Sequence, residues 1–236
     1  MLGCRDFQAP HAHARRSTCC RRCGSAHTDR MYYGEKFNAV SHLLGAVLAV
    51  AGTVVLVVLA AIGGDPWKVV GVSIYGASLV LMYGSSTLYH SVRGGRAKDF
   101  LRKMDHQSIY LLIAGSYTPF CLVTLRGPWG WSLLGVVWGL AVAGSLQDLR
   151  PRNDARILSV VIYLLMGWAA VVALVPMVNA LGRAGFAWVA SGGVFYTVGI
   201  VFYALDARLK HAHGIWHLFV LAGGAAHFIS ILIYVV

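Results

Sequence analysis

Charged residues are scarce in this sequence. They make up 12% of the 236 residues, whereas soluble domains usually carry about 25%. Hydrophobic residues make up 58%, and the mean hydropathy is +0.65. These values exclude an ordinary soluble domain and indicate an integral membrane protein.

Long polar connections are absent beyond residue 37, where one apolar run follows another. Most runs are 19 to 25 residues long, the length that crosses a hydrocarbon core of about 30 Å at 1.5 Å per residue. The sequence therefore predicts an all-α protein with seven transmembrane helices and no room for a second folded domain. The predicted spans are 38–62, 69–90, 104–125, 129–147, 156–178, 186–204 and 214–236.

Acidic residues are the rarer charged group, with nine Asp and Glu against 20 Lys and Arg, which makes the net charge +11. A basic excess can indicate nucleic-acid binding. Here, however, 17 of the basic residues lie on one side of the predicted spans and three on the other. By the positive-inside rule, this distribution predicts a cytoplasmic N-terminus and a C-terminus outside. The expected partners are therefore membrane lipids, with no nucleic acid.

The first 30 residues lack an apolar core, which excludes a secretory signal peptide. They contain Cys20 and Cys23, whose spacing is typical of zinc ligands. A single pair of this kind is weak evidence for a metal site, and a disordered basic tail is the favoured interpretation. Met31 opens the sequence MYYGEKFN directly before the first span. A true start of the chain at Met31 is therefore the alternative interpretation. We therefore predict a tail over 1–30 and a membrane domain over 31–236.

Histidines cluster at the predicted cytoplasmic ends of two spans. His213 and His217 lie four residues apart in HAHGIWH, so a helix places both on one face, close enough to hold one metal ion. His90 ends the second span at the same membrane face. Three neutral imidazoles and a water form a tetrahedral zinc site with one open position, which is the catalytic pattern. His227 lies ten residues beyond His217, about 15 Å deeper, and cannot bind the same ion.

Asp105 begins the third span at this same face. Zinc would lower the pKa of its water and polarise a carbonyl, so Asp105 is the best candidate to orient that water or act as general base. If Asp105 binds zinc directly, the site closes and catalysis is disfavoured. Placement at a helix N-terminus, where the dipole favours an acid, is the alternative explanation.

The first span begins EKFNAVSH, with Glu35, Asn38 and His42 on one stripe of the helix. Such polar groups at a span end either bond between helices or serve a functional site. Hydrogen bonding between helices, including support of the metal ligands, is favoured slightly over direct ligation.

Four segments together resemble the hemolysin III proteins, the bacterial branch of the progestin and adiponectin receptor family: EKFNAVSH, SSTLYH, DHQSIYLLIAGSYTPF and HGIWHLFVLAGGAAHF. The resemblance covers residue 31 to the C-terminus. It implies an inverted seven-helix bundle with zinc near the cytoplasmic face, bound by His90, His213 and His217, and with Asp105 and Ser86 close to the metal-bound water. It also implies a multi-pass protein of the bacterial plasma membrane with a role in lipid and fluidity homeostasis.

Three functions follow as hypotheses. The family is grouped with membrane-embedded metal-dependent hydrolases, which favours a zinc-dependent hydrolase for a lipid amide or ester that enters sideways from the bilayer. The second hypothesis is a membrane sensor or receptor in which zinc is structural. The third is a pore-forming hemolysin, which the sequence disfavours because no polar stripe runs the length of several spans.

Overall fold

A computed structural model describes residues 34–149 and 155–236 of the chain. The expectations for the tail over 1–30 and for a start at Met31 therefore lie outside the described residues. The described residues belong to one compact unit.

The described residues fold into helices and contain no strand, which confirms the all-α class. A π-helical turn at Phe120–Thr124 follows α3, and a 3-10 turn at Ala169–Ala173 joins α5 to α6. The helices are α1 (Glu35–Ile62), α2 (Pro66–Ser91), α3 (Gly95–Pro119), α4 (Pro128–Asp148), α5 (Ala155–Trp168), α6 (Leu174–Ala204) and α7 (Ala212–Tyr234).

Within the described ranges, five helical stretches are long and apolar enough to cross a membrane: α1, α2, α4, the stretch Arg156–Ala204, and α7. Helix α3 is not among them. It begins at Gly95, whereas the predicted span begins at residue 104, and its first turns carry Arg96, Lys98 and Asp99. Charged residues of this kind are expected outside the hydrocarbon core, so the helix is longer than its apolar part.

The stretch from Arg156 to Ala204 is not one continuous helix. Gly182 has φ 69° and ψ 170°, which breaks the helical path inside α6. Glycine adopts this conformation without the steric cost that a side chain brings. The break falls between the predicted fifth and sixth spans.

Helix packing brings distant parts of the sequence together. Helix α2 packs between α1 and α3, and α7 packs against α6 and α1. Two tyrosines of α2 donate hydrogen bonds to carbonyls of α7, Tyr75 to Gly224 at 3.1 Å and Tyr83 to Val220 at 3.4 Å. A Cβ atom at Gly224 would lie only 2.4 Å from the Tyr83 hydroxyl oxygen. The glycine therefore leaves room for the Tyr83 side chain of α2 to reach the backbone of α7.

Candidate metal centre

Three histidines from two helices converge at one end of the bundle. His90 lies in the last turn of α2, and His213 and His217 lie in the first turns of α7. One nitrogen from each ring lies within 4.8 Å of the others, with two of the residues buried and His213 half-buried. Such a group can hold a metal ion. The four-residue spacing on α7 and the register between α2 and α7 together produce it.

The rings of His90 and His213 face each other through their Nε2 atoms, which lie 3.3 Å apart. The opposite nitrogen of each ring lies against a carboxylate: His90 Nδ1 is 2.8 Å from Glu35 Oε2, and His213 Nδ1 is 3.3 Å from Asp206 Oδ2. Because an ionised carboxylate only accepts hydrogen bonds, each Nδ1 carries the proton and each Nε2 presents a lone pair.

Two lone pairs at this separation repel each other unless a cation lies between them. Tetrahedral zinc with bonds of 2.0–2.1 Å to nitrogen places two ligand nitrogens about 3.3 to 3.4 Å apart. The observed 3.3 Å between His90 and His213 matches that separation. The residues present therefore fit a metal ion that has the bond lengths and the tetrahedral geometry of zinc.

The third histidine is supported by α1. His217 Nδ1 lies 3.4 Å from the hydroxyl of Ser41, which in turn donates to the carbonyl of Asn38 at 3.0 Å. The ring of His42 stacks on that of His217, with centroids 3.7 Å apart and planes inclined by 12°. Both ring nitrogens of His42 are buried and have no hydrogen-bond partner among the described residues.

Each supporting carboxylate also contacts a cation from a further helix. Glu35 Oε1 accepts from Lys98 of α3 at 3.0 Å, and Asp206 Oδ1 accepts from Arg156 of α5 at 2.8 Å. Asp206 lies between α6 and α7. Partial burial raises the pKa of this carboxyl, but hydrogen bonds from His213 and Arg156 outweigh that effect, so its pKa lies below the usual value. It is therefore an ionised acceptor for His213.

Asp105 and Ser86 lie on the wall of a cavity of about 580 Å³, hereafter the polar cavity, which His213 and His217 also line. Ser86 is buried, and its hydroxyl interacts with the Asp105 carboxylate. His106 lines the same cavity on the next position of α3. Asp105 of α3 and Ser86 of α2 thus share a cavity wall with two of the three clustered histidines.

The part of the chain that contains this site also matches known proteins. A family model described as "Haemolysin-III related" matches residues 31–228. The chain belongs to the hemolysin III family. This confirms the resemblance drawn from the four sequence segments.

The alignments of this hemolysin III protein with its relatives span most of the length of each relative. The Hemolysin-3 homolog of Bacillus subtilis (strain 168) is 42% identical over 84% of this chain and 93% of its own. Hemolysin-3 of Bacillus cereus is 40% identical over 84% and 90%. The monocyte to macrophage differentiation factor of Homo sapiens is 29% identical over 84% and 83%. No solved structure matches the chain.

Sequence reasoning missed two supporting residues, Asp206 and Ser41. Asp206 is the only acidic residue between α6 and α7 and lies seven positions before His213. An isolated acid so close to a histidine pair was a usable signal. Ser41 had no such signal, because its contact with His217 depends on how α1 is rotated against α7.

A second cavity, hereafter the apolar cavity, has a volume of about 110 Å³ and lies next to the polar one. The two share the lining residues Met82, Ile109, Tyr163 and Trp216. Leu112, Ile113 and Phe120 line the apolar cavity further along α3 and its π-helical turn. His227 also lines it and lies outside the metal cluster, with Nε2 3.2 Å from the carbonyl of Val189.

Proposed function

We propose that this hemolysin III protein crosses the plasma membrane seven times, with its N-terminus in the cytoplasm and its C-terminus outside. As one straight helix, the 49 residues from Arg156 to Ala204 would measure about 74 Å, more than twice the thickness of a hydrocarbon core. The break at Gly182 supports two crossings instead. Helix α3 supplies the remaining one, because it packs beside α2 and α4 and its second half is apolar.

The metal is zinc in this proposal, held by His90, His213 and His217. Imidazole nitrogens suit zinc, and a second hydrogen bond on each ligand ring is typical of zinc sites in proteins. Glu35 and Asp206 supply those bonds at two ligands, and Ser41 at the third. When bound by three imidazoles, zinc polarises a carbonyl and makes water more acidic.

The proposed activity is hydrolysis of a lipid amide or ester, with a role in membrane lipid homeostasis. The observation that carries it is a three-histidine cluster, two members of which, His213 and His217, line the polar cavity together with Asp105 and Ser86. Asp105 accepts the proton of the attacking water and returns it to the leaving amine or alcohol as the C–N or C–O bond breaks. The Ser86 hydroxyl orients the carboxylate by a hydrogen bond. The apolar cavity next to it takes the first few carbons of an acyl chain, and the rest of that chain stays in the bilayer.

The test is fatty-acid release from a panel of lipid amides and esters by the purified, zinc-loaded protein. Asp105→Asn is expected to lower the rate by about 10²- to 10⁴-fold without loss of zinc. Asp99→Asn is the matched control, because Asp99 lies on the same helix and its side chain is 72% exposed. An unchanged rate in Asp105→Asn would contradict the assignment.

Other results obtained with the same purified protein would support the alternative functions. No turnover of any lipid, with a lower melting temperature after zinc removal, would support a sensor in which zinc is structural. Dye release from liposomes that persists in His90→Ala would support pore formation, in line with the name Hemolysin-3 of the Bacillus cereus relative.

A further inference from the structure

Helix α3 lines both cavities, and the type of side chain that it contributes to them changes in order along the helix. Arg102 and Lys103 line the polar cavity where α3 enters it, and Asp105 lines it next to the metal cluster. Ile109 lines both cavities, and Leu112 lines only the apolar one. Along the helix, cationic groups are therefore followed by a carboxylate and then by apolar side chains. The rise from Arg102 to Asp105 is about 4.5 Å.

The cations of the polar cavity differ in whether the protein already pairs them. Arg156 is paired with Asp206, and Asp148 accepts a hydrogen bond from Ser159. Arg102 has only a long, exposed contact of 3.6 Å with Asp99. Across residues 34–149 and 155–236, Lys103 forms no ion pair. Arg102 and Lys103 are therefore the cations of the polar cavity that remain available to a ligand, and the carboxylate of Asp105 lies further along α3.

We propose that the polar cavity takes a lipid with a phosphate close to its scissile carbonyl. Arg102 and Lys103 contact the phosphate, the carbonyl faces His213 and Asp105, and the acyl chain extends along α3 into the apolar cavity. In a glycerophospholipid, five bonds separate phosphorus from the carbonyl carbon of the sn-2 acyl group, an extended distance of about 6 Å, which is comparable with the rise from Arg102 to Asp105. The inference rests on the proposed function and names its substrate class.

Basic residues at a cytoplasmic membrane face also have a general explanation, because they orient the protein in the bilayer. Arg93 and Arg96 serve as the comparison. They precede the same segment of α3 and carry the same charge, but they line neither the polar nor the apolar cavity. A role limited to orientation or to general attraction of anionic lipid would make all four cations equivalent.

The experiment measures lipid binding, not turnover, by native mass spectrometry of the zinc-loaded protein. The probes are dioleoyl phosphatidate and dioleoylglycerol, which differ only in the phosphate. The double variant Arg102→Gln/Lys103→Gln is expected to bind phosphatidate about fivefold to tenfold more weakly, as befits two exposed charge contacts. Binding of dioleoylglycerol is expected to stay the same. Arg93→Gln/Arg96→Gln is the charge-matched control and is expected to bind both lipids as the wild type does.

An equal loss in both double variants would overturn the proposal in favour of diffuse attraction. Equal effects on the two lipids would overturn it as well. Inorganic phosphate that displaces phosphatidate at matched concentration would show a site for the free anion, which contradicts a lipid site. Arg102→Lys/Lys103→Arg keeps both charges and is expected to retain binding, which guards against a folding defect.

The same samples separate this inference from the proposed hydrolysis. Asp105→Asn keeps Arg102 and Lys103, so it is expected to bind phosphatidate normally while it loses turnover. If the wild type binds phosphatidate through Arg102 and Lys103 but cleaves no lipid, the binding site stands and the hydrolase proposal fails. If it cleaves lipid amides and esters equally with or without a phosphate, the hydrolase proposal stands and the substrate class fails.

Discussion

His90 and His213 face each other through their Nε2 atoms at 3.3 Å, while a carboxylate holds the far nitrogen of each ring. Glu35 from α1 and Asp206 from the connection before α7 thereby decide which nitrogen points inward. Without a cation this arrangement sets two lone pairs against each other. The first prediction follows from this contact.

Purified wild-type protein is expected to contain about one zinc per chain, as in other sites of three histidines. His217→Ala removes a ligand and is expected to abolish the bound metal. His227→Ala, a histidine of the same helix outside the cluster, is the control and should retain it. The measurement is metal content by mass spectrometry on detergent-purified samples. A well-folded wild type without metal would contradict the site and leave a proton shared between His90 and His213.

Loss of a supporting carboxylate is expected to weaken metal binding without abolishing it. Glu35→Gln and Asp206→Asn should each lower zinc affinity by about 10- to 100-fold, measured by competition with a chelator. The effect of Glu35→Gln should be the larger, because Glu35 is buried and its bond to His90 is 2.8 Å, against 3.3 Å for Asp206. Asp99→Asn, an exposed acid, is expected to change nothing. The reverse order of Glu35 and Asp206 would count against the geometry described for the ligands.

The contact of the Tyr83 side chain with α7 predicts a specific stability effect at Gly224. A Cβ atom there would lie 2.4 Å from the Tyr83 hydroxyl oxygen, so Gly224→Ala must push the helices apart or displace the tyrosine. The expected cost is about 1–3 kcal/mol, seen as a lower melting temperature. Gly193→Ala is the matched control, because a Cβ at Gly193 meets nothing within 4 Å. Equal melting temperatures for the two variants would contradict the packing of α7 on α2.

The proposed seven crossings predict which positions face outward. In a background with the five native cysteines replaced, Arg126→Cys and Arg183→Cys are expected to react with a membrane-impermeant thiol reagent on intact cells. Arg96→Cys and Arg208→Cys should react only after the membrane is opened. If residue 183 stays unreactive in both conditions, the stretch from Arg156 to Ala204 does not return to the outer face at Gly182.

Local and compositional features of this protein were readable from its sequence. The scarcity of charge and the length of the apolar runs indicate a membrane protein, because a bilayer imposes its thickness on every crossing. The spacing of His213 and His217 places them on one face, because helix periodicity is a local property. The uneven distribution of basic residues predicts that these two histidines lie at the cytoplasmic end of the bundle.

The contacts between helices could not be read in this way. Asp206 meets His213 through a turn at the start of α7, Ser41 meets His217 because α1 is rotated towards α7, and Glu35 meets His90 because α1 packs on α2. Helix rotation and register depend on close packing at positions such as Gly224, which no periodicity reveals. The sequence by itself determined the membrane class, the family and the histidine pair. Only the tertiary structure decided the inward nitrogen of each ligand and the cavities beside them, because both depend on how separate helices pack against one another.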